Sequence, residues 1–213
     1  MPVAASENRP VVAILDYGIG NLHSAHKGFA AVGADAQLTD DPKIIAEADG
    51  VVLPGVGAFG PCMQALRDHG LDSVARERID AGVPFFGICI GMQVLFAGSQ
   101  EAPGENGLGI FPEMVRELPD TVKRPQMQWN RLVTESDTHP MLEGLGDDPW
   151  MYFVHSYAAE PNPYVVASCD YGTDVVAAVA RDNVWACQFH PEKSGLAGLR
   201  VLANFVDTLR TRG

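Results

Sequence analysis

At 213 residues, 46% of them hydrophobic, the chain is long enough to bury a sizeable core, and one enlarged domain fits that length better than two. Its net charge of −12 argues against nucleic acid or an anionic membrane as the main partner, since both rely on clustered Lys and Arg, and no apolar run reaches the ~18 residues of a spanning helix. The start "MPVAASENRP" carries no basic end followed by an apolar block, and the four scattered cysteines, Cys62, Cys89, Cys169 and Cys187, form no CxxC pair, so a cytoplasmic protein with free thiols and no zinc site is expected.

Residues 1–9 read as an N-terminal extension to a single domain over 10–213. "VVAIL" (Val11 to Leu15) is a continuous apolar run, and after it Leu22, Ala25, Phe29 and Val32 recur at helical spacing until Gly33, which predicts strand then helix. The alternation repeats from "DAQL" to "DPKIIAEA", from "GVVLP" to "PCMQALRDHGLDSVARERIDAG", and from "PFFGI" to "IGMQVLFAG". Strands that are apolar almost throughout, alternating with helices, imply a mostly parallel sheet covered on both faces. After about Ser99 a glycine- and proline-rich loop is expected. Short runs follow it, "WMYFVHSY", "YVVASCDYG", "DVVAAVARD" and "VWACQFH", which read as added strands with "YGTD" and "RDN" at hairpin positions. "LAGLRVLANFVDTLR" closes the chain as an amphipathic helix with Leu199, Leu202, Phe205, Val206 and Leu209 on one face. The fold class is therefore α/β, with active-site residues expected beyond the carboxyl ends of the strands.

Three stretches carry chemistry. In Leu53 to Gly60, "LPGVGAFG", Gly55 and Gly57 follow an apolar strand. They leave the backbone free to present N–H groups, although glycine after a strand often marks only a turn. No Gly-Lys-Ser/Thr follows, so a phosphate loop is not expected, and "DYGIGN" (Asp16 to Asn21) does not match GxGxxG. Gly87-Ile88-Cys89-Ile90-Gly91 has the form G-x-nucleophile-x-G where a strand passes into a helix. So tight a turn needs glycine on both sides, sets the thiol near a helix N-terminus, and aims the Ile90 N–H at an oxyanion; taken alone, Cys89 is equally well one more small buried thiol. In "CQFHPEKSG" His190 closes an apolar strand, and Glu192 lies two residues on, past Pro191. Residues i and i+2 of an extended segment face the same way, so the carboxylate can hold the imidazole's tautomer. His155 in "FVHSY" is the rival base, with no carboxylate close behind it.

"DYGIGNL", "LPGVGAFG", "GICIGMQ", "GLGIFP", "YFVHSY" and "QFHPEKS", in this order, resemble the glutamine amidotransferase subunits of imidazole glycerol phosphate synthase, members of the class I, Cys-His-Glu amidotransferases. The resemblance runs from about Val11 to Phe205. It implies a flavodoxin-like fold with added antiparallel strands, and a glutaminase that needs no cofactor or metal. It further implies release of ammonia from L-glutamine to a cyclase subunit with a (β/α)8 barrel, in a heterodimer of histidine biosynthesis. By motif, it makes Cys89 the nucleophile, His190 the general base and then acid, and Glu192 the orienting carboxylate. Val56 and Ile90 become the oxyanion donors. Gly57, Gln93, Glu101, His155, Ser156 and Tyr157 become the glutamine pocket, and Asn21, Trp129, Asn130 and Lys193 the side facing the partner. One departure stands out: the family usually reads P-H-M-G-W-N where this chain reads Pro125-Gln126-Met127-Gln128-Trp129-Asn130. The other readings of these residues are a class I amidotransferase serving another synthase, a stand-alone cysteine hydrolase of the same fold, and a non-catalytic regulatory subunit.

Overall fold

The computed structural model describes residues 9–134 and 139–211; of the expected N-terminal extension, residues 1–8 lie outside the described residues. The first half alternates as expected: β1 (Val11–Leu15), α1 (Leu22–Ala31), β2 (Asp35–Thr39), α2 (Pro42–Glu47), β3 (Gly50–Gly55), α3 (Phe59–Asp68), α4 (Leu71–Asp80), β4 (Phe85–Cys89) and α5 (Ile90–Gln93). The second half is strand-rich: β5 (Phe96–Ser99), β6 (Phe111–Glu117), β7 (Gln126–Arg131), β8 (Val133–Thr134), β9 (Trp150–His155), β10 (Tyr157–Ala159), β11 (Val165–Asp170), β12 (Asp174–Arg181) and β13 (Val184–Cys187), closed by α6 (Gly195–Arg210).

Among the described residues the main sheet has the order β2-β1-β3-β4-β13-β12-β11-β8. The pairs from β2 to β13 are parallel, and those from β13 to β8 antiparallel. The near-continuous apolar strands are explained by burial on two faces. Val12 and Ile14 point into one core layer with Phe29 of α1 and Phe205 of α6, whereas Ala13 and Leu15 point into the other with Ile45, Leu66 and Ile79 of α2, α3 and α4. Phe205 anchors the first layer, its ring 5.4 Å from Phe86, 5.8 Å from Trp185 and 6.0 Å from Phe29 between centroids. Smaller sheets, β10-β6-β5 and β7-β9, sit beside the main one. Among the described residues no helix is long and apolar enough to cross a membrane.

Four expectations are corrected. The single helix read over residues 61–82 is two, because Gly70 adopts φ +68° and starts a new axis at Leu71, a conformation costly for a residue with a Cβ. "IGMQVLFAG" is helical only over Ile90–Gln93; Phe96–Ser99 pairs as a strand with β6. The expected loop after Ser99 contains β6 and β7. Finally, β13 stops at Cys187, so His190 does not end the strand; the chain then enters a 3-10 turn at Pro191–Lys193. The two hairpin positions are as read, with Gly172 and Asp182 at positive φ in the turns.

Candidate active site

β3, β4 and β13 are neighbouring parallel strands, so the segments leaving their carboxyl ends converge. β3 delivers Val56 and Gly57, β4 delivers Cys89, and the chain after β13 delivers His190. These residues line one cavity of about 270 Å³. Cys89 lines it with φ +56° and ψ −110°, an unfavourable conformation for a residue with a Cβ. The turn is enforced by its flanking glycines: a Cβ at Gly87 would run into the Gly91 carbonyl at 2.7 Å, and one at Gly91 would overlap the Leu53 carbonyl. Cys89 immediately precedes α5, so the Ile90 N–H belongs to the first turn, whose N–H groups have no acceptor within the helix, and Ile90 lines the cavity. The loop after β3 is gripped on both sides. The Tyr17 hydroxyl donates to Pro54 O at 2.8 Å, and the Cys62 thiol to Val56 O at 3.5 Å.

His190 is held on three sides. Its backbone N–H donates to Tyr152 O at 2.9 Å, Ser194 Oγ donates to its carbonyl at 2.6 Å, and Nδ1 lies 2.8 Å from Glu192 Oε1. The 3-10 turn, rather than an extended segment, brings the carboxylate round to the ring. Nε2 is buried and has no hydrogen-bond partner among the described residues, which leaves it for the Cys89 thiol. Burial is the largest influence on His190 and opposes its charge, yet attraction to Cys89 and Glu192 outweighs it and lifts the imidazole to about 9. That lift favours the protonated ring, the form that can give a proton away.

The expected pocket residues Gln93, Glu101, His155, Ser156 and Tyr157 all line this cavity. Gln93 is buried rather than solvated, and its Nε2 donates to Tyr157 O and to Gln188 Oε1, both at 2.9 Å. Glu101 also accepts from the first N–H of α3 at 2.8 Å, so it fixes that helix as well as the cavity wall. His155, the rival base, has a backbone carbonyl rather than a carboxylate at Nδ1. Its Nδ1 lies 2.8 Å from Tyr157 O, which can only accept, so Nδ1 carries the hydrogen and Nε2 is a bare acceptor without a partner among the described residues. Burial, aided by His190, pulls His155 down to about 4.

That shift has a stability consequence. In the unfolded chain the imidazole takes a proton below about pH 6.5, whereas in the folded chain it does so only below about 4, so the unfolded state binds more protons in between and stability falls with acid. From pH 7.5 to 4.5 His155 alone should remove roughly 2–3 kcal/mol. Urea unfolding at both pH values should show a smaller acid loss for His155→Gln by about that amount; equal losses would contradict it.

Of the residues expected to face a partner, Lys193 also lines the cavity, with Nζ 6.0 Å over the Tyr152 ring. Trp129 is half-exposed on β7 and its ring meets Tyr152 edge-on at 6.1 Å. Asn130 Nδ2 donates to Asp170 O at 2.8 Å, and Asn21 Oδ1 accepts from Ser24 Oγ at 2.9 Å at the start of α1; neither lines the cavity. Strand alternation and the β7–β9 register put Met127 and Trp129 on one face with Val154, Tyr152 and Trp150, and Met127, Trp129 and Trp150 are exposed. Gln126 and Gln128 lie on the opposite face; Gln126 is fully buried and its Nε2 donates to Cys169 Sγ at 3.6 Å. The departure at these two positions therefore leaves the apolar face intact. Val154 and Gln188 were missed in the sequence. Gln188 stands two residues before His190, the same spacing that singled out Glu192.

The model of the family "Glutamine amidotransferase class-I" matches residues 13–209. "Imidazole glycerol phosphate synthase subunit HisH" of Methanothermobacter thermautotrophicus is 51% identical over 201 residues, covering 94% of this chain and all of that protein. The subunit of the same name from Acinetobacter baylyi is 46% identical, covering 92% and 97%. Among solved structures, "Structure of PurLQS from Thermotoga maritima" superposes with a TM-score of 0.75 at 20% identity, covering 94% of this chain and 99% of that one, a likeness of fold.

Proposed function

The chain belongs to the class-I glutamine amidotransferase family, in the branch of the imidazole glycerol phosphate synthase HisH subunits, and from that premise we propose how its residues hydrolyse L-glutamine and pass the ammonia to a cyclase subunit in histidine biosynthesis. The observation that carries the reading is the cavity that Cys89, His190, Val56 and Ile90 line together. Cys89 Sγ attacks the side-chain amide carbon of glutamine and a C–S bond forms. The displaced electron pair goes to the amide oxygen, which accepts from the N–H groups of Ile90 and Val56. His190 Nε2 gives its proton to the nitrogen as the C–N bond breaks, releasing ammonia and leaving a thioester. Water then loses a proton to Nε2, attacks the thioester, and frees glutamate and the sulfur. Glu192 holds the ring and balances its charge throughout.

Substrate recognition is assigned to polar groups of the cavity wall. The unpartnered Gln93 Oε1 and His155 Nε2 supply acceptors for the ammonium and amide N–H groups of glutamine. The cyclase is assigned to the exposed face of Met127, Trp129 and Trp150, which continues through Tyr152 and Val154 to the cavity. Lys193, over the Tyr152 ring, and the Asn21 loop are assigned to the same contact, in a cytoplasmic heterodimer. The test is synthesis of imidazole glycerol phosphate with glutamine as nitrogen source. The two subunits together should support it, and neither alone; glutamine-dependent synthesis by the cyclase without this chain would contradict the reading.

His190 and Glu192 should separate. Removing the proton carrier eliminates both transfers, whereas Glu192→Gln keeps an acceptor for Nδ1 and loses only the charge. Single-turnover thioester formation should be slower in His190→Ala than in Glu192→Gln by about tenfold or more. Equal, small effects would return the base role to His155.

A further inference from the structure

Gln188 is fully buried, and its orientation is dictated by a chain of amides running from the cavity wall to the sulfur. The chain starts at Tyr157 O, which can only accept, so the amide group of Gln93 facing it is NH2. The second hydrogen of that NH2 goes to Gln188 at 2.9 Å, which fixes the Gln188 atom there as Oε1. The Gln188 NH2 is thereby turned toward Cys89 Sγ at 3.8 Å. No reversal is available, because flipping either amide would set two acceptors or two donors face to face.

We propose that Gln188 is a further catalytic residue, one whose side-chain N–H donates to Cys89 Sγ and holds the sulfur as the charged nucleophile; the proposal rests on Cys89 being the nucleophile assigned above. A neutral thiol accepts weakly, and an ionised sulfur accepts strongly. The bond therefore tightens in the two states where charge sits on sulfur: before attack on the amide, and when water expels sulfur from the thioester. Because both N–H groups of Gln93 are spent on Tyr157 O and Gln188, the chain also ties a wall of the substrate cavity to the nucleophile.

The test uses Gln188→Glu, which keeps shape and keeps an acceptor for Gln93 but turns an oxygen toward the sulfur, and Gln188→Met, which removes the donor. The first readout is the rate at which iodoacetamide alkylates Cys89 at pH 7, followed by peptide mass mapping. It needs no glutamine, so it stands or falls apart from the glutaminase reading. A lost bond to a charged group is worth about ten- to a hundredfold; alkylation should slow about tenfold in the Met variant and further in the Glu variant. The second readout is glutaminase activity in the complex with cyclase and nucleotide, where kcat should fall about tenfold with KM for glutamine within about twofold. Circular dichroism establishes that each variant is folded; if Met at this site unfolds the chain, the Glu variant decides alone. Wild-type alkylation in a folded variant, or a raised KM with unchanged kcat, would overturn the proposal and leave Gln188 a structural support for Gln93.

Discussion

Replacing Cys89 with alanine should abolish glutamine hydrolysis while leaving synthesis from ammonium salts intact. The thiol is the group that forms the bond to the amide carbon, and loss of the nucleophile from a triad costs on the order of 10⁶ in kcat. The fold should survive. Alanine at φ +56° bears the same backbone strain as cysteine, and one buried sulfur is a small void. Ammonia enters the sequence after the thioester, so with a large excess of ammonium salt the cyclase should run at its usual rate in the same complex. Assays with each nitrogen source, on one preparation, separate the outcomes. Glutamine consumption by the alanine variant contradicts the assignment; loss of the ammonia reaction as well means that the substitution has damaged the assembly rather than the chemistry.

The second large effect is expected from the partner. Alone, this chain should be a poor glutaminase, and the cyclase with its nucleotide bound should raise its rate by roughly 10²–10³, the worth of one oxyanion donor. The expectation comes from the loop after β3. Tyr17 grips Pro54 O and Cys62 grips Val56 O, while the peptide between Gly55 and Val56 lies between these two fixed points. Glycine at 55 and 57, the latter at φ +97°, lets that stretch rotate at little cost, so the Val56 N–H can face the oxyanion or turn from it. The partner need only contact the two states differently, and Tyr17 belongs to the segment between β1 and α1 that ends at Asn21, on the side assigned to the cyclase. Glutamate release is measured for the chain alone and then with cyclase and nucleotide. Full activity of the isolated chain, with no gain on adding both, contradicts the gate and favours a stand-alone hydrolase.

The strands that position the site were legible because burial on both faces makes them continuous apolar runs. β1, β3, β4 and β13 could hardly be anything else. β6 and β7 were not legible: "FPEMVRE" and "QMQWNR" are half polar because each belongs to a small sheet with an exposed face, so neither a continuous run nor a clean alternation marks them. "IGMQVLFAG" is buried almost throughout, and in a segment without a polar face, helical and strand periods look alike. Within the site, Cys89 and His190 were announced by the special geometry their neighbours impose, glycines around one and a proline after the other. Gln188 carries no such mark. Its part depends on Tyr157, Gln93 and Cys89 approaching it from distant parts of the chain, and a polar residue in an apolar run shows only that a partner is needed, not which.

A covalent bond between Cys89 and the side-chain carbon of glutamine can be trapped with a glutamine-shaped diazoketone. The other three thiols give a built-in control: burial pushes Cys62 and Cys169 up to about 11, and Cys187 well above its ordinary value, so none is a ready nucleophile near neutral pH. The complex is incubated with the reagent, with and without excess glutamine, and its peptides are mapped by mass. One adduct is expected, on Cys89, formed in step with the loss of glutaminase activity and prevented by glutamine. An adduct on Cys62, Cys169 or Cys187 that tracks the loss of activity, or loss of activity with Cys89 unmodified, would contradict it.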